Sequence, residues 1–202
     1  GIITGGGMGR LIAHWILHGR ADVDITGMNI DRFHRYQSNP EYRRVRTVES
    51  LGMVYQCHYP TRSMMTARNC KRSAFHDRLV AQGAYCKDVS GWEGPDWYAP
   101  PGVEPRVEKL SWGRQNWFPY WEAEHRATRE GVILMDMSFM AKFLVQGREA
   151  GALLNYLSAN QVDGPSGLIT YTQWLNAGGT LEADLTVTKP DEERSWVVAS
   201  DT

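Results

Sequence analysis

The sequence predicts an α+β fold, with helices packed on an antiparallel sheet. Two observations carry this. In the C-terminal third, short runs at 142–146, 171–175, 181–187 and 196–199 read as strands, and Asn176-Ala177-Gly178-Gly179 between the second and third is a hairpin turn. Elsewhere apolar residues recur at helical spacing: Met8, Leu11, Ile12, Trp15 and Ile16 near the start, and Ala150, Leu153, Leu154 and Leu157 between strands.

The first element is a helix capped by Thr4 or a glycine and stopped by Gly19. Residues 20–60 are mixed and polar, with a short basic cluster at Arg43, Arg44 and Arg46 that reads as a solvated face or an inter-domain contact in preference to an anion site. Residues 73–82 read as a short helix between an N-capping Ser73 and the stop at Gly83. Pro100-Pro101-Gly102 and Pro105 mark a loop, and a domain boundary is expected near it. Beyond it, 122–130 is helical and 132–136 is expected to be a strand.

Composition bounds the function. The 202 residues carry a net charge of −1, and this lack of basic excess argues against nucleic acid as a partner. No apolar run reaches the roughly 18 residues of a membrane span. Three cysteines without a Cys-x-x-Cys pair argue against a disulfide framework and against structural zinc. His14 and His18 stand four apart on a helix, but Trp15 lies where a zinc-protease helix would need Glu, and no metal site is expected. The chain starts on Gly1 and ends just after a strand-like run, so it reads as an internal piece of a larger enzyme.

Thr4-Gly5-Gly6-Gly7-Met8-Gly9 opens the first helix. A helix mouth without side chains suits the close approach of a flat or anionic ligand. It is not the dinucleotide fingerprint, since Arg10 stands where Gly-x-Gly-x-x-Gly read from Gly5 would need its last glycine. A ligand site and a tight turn both remain open readings of these residues. The aromatic cluster Trp92, Trp97, Tyr98, Trp112, Trp117 and Trp121 reads as a packed interface in preference to a cation–π cage for an amine.

Taken in order, these motifs resemble the sarcosine and dimethylglycine dehydrogenase family. Residues 1–9 and Ala13-His14-Trp15-Ile16-Leu17-His18-Gly19 resemble its last FAD-contacting segment. Asp31-Arg32-Phe33 and residues 46–50 resemble its connector, and residues 91–98, Gly-Trp-Glu-Gly-Pro-Asp-Trp-Tyr, its central-domain signature. Asn116-Trp117-Phe118 and Asp136-Met137-Ser138 continue the match. Tyr171-Thr172-x-x-Leu175-Asn176 and Gly178-Gly179-x-x-x-Ala183-Asp184-Leu185 are similar to the opening of the folate-binding domain shared with the glycine-cleavage aminomethyltransferase. Two departures, Gly94 in place of the usual Arg and the run Phe139-Met140-Ala141-Lys142-Phe143, lie outside the cofactor motifs and bear on substrate choice.

The resemblance implies three parts: the end of an FAD-dependent oxidoreductase domain with its connector at 1–60, a small central domain at 61–115, and the first part of an aminomethyltransferase-like folate-binding domain at 116–202. It implies a flavin-dependent, tetrahydrofolate-coupled N-demethylase acting on sarcosine or dimethylglycine, with electron-transfer flavoprotein or oxygen as acceptor. The parent would work in the cytoplasm if bacterial and in the mitochondrial matrix if eukaryotic, and the piece alone would be inactive. By resemblance, Thr4, Gly5, Gly6, Gly7 and Met8 approach FAD, Tyr171 and Asp184 bind tetrahydrofolate, and Asp184 is the catalytic acid. Read alone, Asp184 is a hairpin cap or the partner of an arginine on a strand, and Tyr171 an ordinary strand aromatic packed on the core. The alternative is a non-catalytic relative of the pyruvate dehydrogenase phosphatase regulatory subunit.

Overall fold

A computed structural model describes residues 2–200 and divides the chain into two compact units, 1–57 and 58–202.

In the first unit a 3-10 turn, Ile2–Thr4, runs into helix α1, Gly5–His18. Gly19 ends α1 in the left-handed conformation, its N–H bonded to the Trp15 carbonyl. The apolar stripe of α1 stays largely exposed. Two 3-10 turns, Ile30–Arg32 and Arg35–Ser38, lead to helix α2, Pro40–Met53. The periodicity of α2 is too polar to announce a helix, but its start has the expected chemistry. The Asn39 side chain accepts from the Glu41 and Tyr42 amides, and Pro40 takes the first turn, where its missing N–H costs nothing. The basic cluster lies on α2, with Arg44 paired to Glu41 and Arg46 over the Tyr42 ring.

The second unit holds two sheets. Helix α3, His76–Ala81, leads into strands β1, Ala84–Val89, and β2, Trp92–Tyr98, an antiparallel hairpin. Ser90 and Gly91 both have positive φ, the conformation a two-residue hairpin turn with right-handed twist requires. Gly83 also has positive φ, and a Cβ there would stand 2.5 Å from the Ala99 carbonyl oxygen, so glycine is doubly required. Helix α4, Phe118–Glu130, packs on β2. Trp97 of β2 and Trp117 at the start of α4 are 0% and 1% exposed, and Tyr85, Tyr120 and Trp121 pack around them. The expected aromatic interface is thus a core within the second unit. It bridges the Pro100-Pro101-Gly102 turn, and the cluster member Trp112 stays outside it, 71% exposed.

Strand β3, Ala141–Gln146, helix α5, Ala150–Leu157, and strands β4, Ile169–Leu175, β5, Leu181–Asp191, and β6, Arg194–Ala199, complete the unit. All pairs are antiparallel, in the order β3-β6-β5-β4. Leu185, Val187 and Val197 on one face, with Leu154 of α5 and Val162, form the second core. The chain is therefore α+β with an antiparallel sheet, as the alternation implied.

The strand expected at 132–136 does not form. Val132 and Leu134 are 96% and 101% exposed, and the run has no strand partner among the described residues. A high β-propensity makes a strand only where a neighbour takes its backbone hydrogen bonds. Asp136, at its end, is held instead by the hydroxyls of Ser73 and Ser138.

The loop before β1 is held by a buried ion pair. Arg68 meets Glu93 through two bonds, Nε–Oε1 at 2.9 Å and Nη2–Oε2 at 2.5 Å, and Nη2 also donates to the Cys86 carbonyl. The Asn69 amide donates to the same carboxylate, whose side chain is only 4% exposed. Ala67 and Asn69 have positive φ, a cost tolerated because the ion pair fixes the loop between them. Burial pushes the Glu93 carboxyl up, but Arg68 and the Asn69 amide pull it further down, leaving it below its ordinary value.

Replacing Arg68 by Met should lower stability by about 3–5 kcal/mol, because it leaves a buried carboxylate without its cation. A carboxylate with a lowered folded-state value contributes stability above its unfolded value and loses it as pH falls. The melting-temperature gap between wild type and Arg68→Met should therefore be largest near neutrality and narrow below about pH 4. A gap independent of pH would assign the effect to packing.

Candidate functional site

Thr4, Gly5, Gly6, Gly7 and Met8 form the N-terminal end of α1. Thr4 is the N-cap residue but makes no side-chain cap, and the first turn of α1 has no acidic residue to neutralise the positive end of the dipole there. Gly5, Gly6 and Gly7 are helical. None has positive φ, and a Cβ on any of them would meet nothing within 4 Å. Among the described residues neither a turn nor a close contact explains them, although a glycine costs a helix interior about 1 kcal/mol relative to alanine.

Tyr171 and Asp184 lie in the second unit, on the open face of the four-stranded sheet. The opposite face carries Thr172, Leu185, Val187 and Val197 into the core. Tyr171 on β4 is 58% exposed and stands opposite Thr186 of β5. Two residues along, Gln173 stands opposite Asp184 and donates from Nε2 to its Oδ1 at 3.2 Å. The Asp184 carboxylate raises the Tyr171 phenol above its ordinary value by favouring its protonated form, with Gln173 opposing. The main chain beneath is pinned: Asn160 donates from Nδ2 to the Tyr171 carbonyl, and its amide to the Thr172 hydroxyl.

A β-bulge sets this grouping. Leu175 pairs with Leu181, but Trp174 pairs with Ala183, so the register slips by one residue around Glu182. Without the slip Asp184 would face Thr172 and point to the core; with it, Asp184 shares a face with Tyr171. The hairpin end is fixed by Asn176, whose Oδ1 accepts from the Gly178 and Thr180 amides and whose Nδ2 donates to Thr180 and Glu182. Gly179 takes the positive φ of this turn. Gln173 is the group sequence reading overlooked. Its place two residues from Tyr171 on one strand was visible, but its pairing with Asp184 depends on the bulge. The two histidines of α1 lie side by side, ring centroids 4.3 Å apart, and among the described residues no three His, Cys, Asp or Glu side chains gather into a metal-sized cluster.

Residues 75–202 match the GCVT N-terminal domain, and residues 18–73 match the FAD dependent oxidoreductase central domain. Human mitochondrial sarcosine dehydrogenase is 31% identical over 213 residues, covering 94% of this chain. This chain belongs to the sarcosine and dimethylglycine dehydrogenase family. A 4-methylaminobutanoate oxidase (formaldehyde-forming) of Paenarthrobacter nicotinovorans is 37% identical over 198 residues, 98% of this chain. The mouse mitochondrial pyruvate dehydrogenase phosphatase regulatory subunit is 31% identical over 203 residues, also 98% of it. The chain spans about a quarter of the length of these relatives, 23%, 24% and 23% in turn. A solved aminomethyltransferase T from Bartonella henselae shares the fold at TM-score 0.50 and 24% identity, over 64% of this chain and 31% of that one. No helix among the described residues is long and apolar enough to cross a membrane.

Replacing Asp184 with Asn removes the charge that raises Tyr171. Carbon-13 NMR of ring-labelled tyrosine should show one phenol titrating closer to its ordinary value in Asp184→Asn. An unchanged set of titration curves would mean that the two groups do not face each other in solution.

Proposed function

We propose that this chain is part of a flavin-dependent, tetrahydrofolate-coupled N-demethylase that oxidises a small N-methyl amino acid such as sarcosine or dimethylglycine. The observation that carries the reading is the order of the two matched domains, together with relatives named for methylamino-group oxidation that align over 94–98% of the chain. FAD would accept the hydride from the N-methyl carbon, and tetrahydrofolate would take up the one-carbon unit.

The chain's own residues fit supporting roles. The N-terminal end of α1 offers backbone dipoles and no side chain at Gly5, Gly6 and Gly7, which suits the pyrimidine edge of a flavin, where negative charge develops on reduction. Thr4 and Met8 flank this edge. A helix that carries three glycines its own packing does not require supports a close-lying group there. On the sheet, Asp184 can accept a proton from, or hold, an amine N–H of folate, with Gln173 orienting the carboxylate and the Tyr171 ring beside it. The electron acceptor of this reading is electron-transfer flavoprotein or oxygen. The compartment is the cytoplasm in a bacterium and the mitochondrial matrix in a eukaryote.

The similarity to the phosphatase regulatory subunit favours one other reading, a non-catalytic interaction protein on the same architecture. Flavin separates the two: the full-length protein should be yellow, with bound FAD that falls well below one equivalent in Gly6→Val. A colourless full-length protein would favour the interaction protein. In the demethylase, Asp184→Ala should retain flavin reduction by substrate but release free formaldehyde and bind folate about tenfold or more weakly, the scale of a lost charged hydrogen bond. Unchanged folate titration would remove Asp184 from the site.

A further inference from the structure

Helix α1 ends on a pair of imidazoles that the demethylase reading does not use. His14 and His18 stand one turn apart, with ring centroids 4.3 Å from each other and ring planes tilted by 38°. Spacing alone makes such a pair two surface histidines. Three features of the structure go further.

The first is that the His14 ring is held. Gly19 takes the left-handed conformation and turns the chain back, so that the Arg20 carbonyl lies 3.1 Å from His14 Nδ1. A carbonyl can only accept, so Nδ1 carries the hydrogen and Nε2 keeps the lone pair of the neutral ring. A backbone carbonyl on one nitrogen is a common way in which a metal-ligating histidine has its tautomer and orientation fixed. The second feature is the separation, which suits one ion. A nitrogen 2.0–2.1 Å from a metal puts its ring centroid about 3.2 Å from it, and two centroids 4.3 Å apart then subtend about 85° at the ion. That is close to the right angle between neighbouring ligands in square-planar or octahedral coordination, and well under the tetrahedral angle. The third is position. The pair lies at the C-terminal end of α1, where the last carbonyls carry the negative end of the helix dipole and favour a cation. Arg10, one turn before His14, is neutralised by Asp22 at 2.8 Å.

We propose that His14 and His18 chelate one divalent transition-metal ion of square-planar or octahedral preference, nickel(II) or copper(II), with water in its remaining positions. Imidazole suits these metals, and among the described residues no third His, Cys, Asp or Glu side chain joins the pair. Zinc(II) fits less well, because its sites want a tetrahedral opening and a third or fourth protein ligand. Chelation across one turn would also hold the last turn of α1, whose apolar side chains Ile16 and Leu17 are exposed. The ion would lie about 15 Å along the helix from Gly5, Gly6 and Gly7, so it stands or falls apart from the demethylase reading.

Nickel(II) is the probe, because copper(II) can oxidise the exposed thiols of Cys57 and Cys70. Titrated into the chain by calorimetry, nickel should bind at one equivalent, with zinc at least about tenfold weaker. Substoichiometric nickel should broaden two of the six histidine ring signals in the NMR spectrum, the two that disappear in His14→Gln and His18→Gln. Each of these variants should weaken nickel at least about tenfold, whereas His125→Gln, at an exposed position of α4, should leave the affinity in place. His18 is exposed and glutamine is a good helix former, so the melting temperature of His18→Gln should not move; if His14→Gln releases the Arg20 turn, His18→Gln decides. Zinc binding as tightly as nickel, broadening spread over all the histidines, or unchanged affinity in His18→Gln would each overturn the site.

Discussion

The indole of Trp97 has no exposed surface, and three rings lie against it: Tyr85 at 5.4 Å, Tyr120 at 5.5 Å and Trp117 at 6.1 Å between centroids, all nearly parallel. Large rings of this kind dominate the burial energy of a small core, and their offset stacking adds to it. The arrangement ties a two-stranded hairpin, too small to be stable alone, to a helix that the sequence separates from it by a proline-rich turn. Because Trp117 is the N-cap of α4, the same ring that closes the core also sets where that helix begins.

The four-stranded sheet works by division of faces. One face buries Leu185, Val187 and Val197 under α5, which leaves the other free to present Tyr171, Gln173 and Asp184 without disturbing the core. A polar grouping on a rigid, half-covered sheet keeps its geometry at little cost in stability, because its side chains are not part of the fold's own burial. The bulge at Trp174 and Leu175 is the one irregularity in that strand pair, and it is what brings the acid to the same side as the phenol.

Much of this was legible in the sequence. Helices α1 and α5 and strands β3 to β6 follow from spacing alone, which in α5 and the sheet reports burial, whereas the stripe that marks α1 stays largely exposed. The β1–β2 hairpin was hidden, since Gly94 and Pro95 inside β2 break the usual strand composition and Trp97 reads as a generic aromatic. Helix α2 was hidden for the opposite reason: it buries no residue fully, so no stripe marks it, and only the Asn39-Pro40 start betrays it. The order of motifs identified the family, but the pairing of Gln173 with Asp184 was not legible. A one-residue slip in register decides which side chains share a face, and residue identity does not encode the slip.

The unpaired run Val132-Ile133-Leu134-Met135 has a bearing on how the chain behaves at concentration. It is uncharged, rich in strand-forming residues and open along its backbone, the description of a template for intermolecular β-pairing. With a net charge of only −1, there is little electrostatic repulsion to hold two copies apart. A run of four residues outside both cores thus adds to the exposed apolar surface through which copies of this polypeptide can meet.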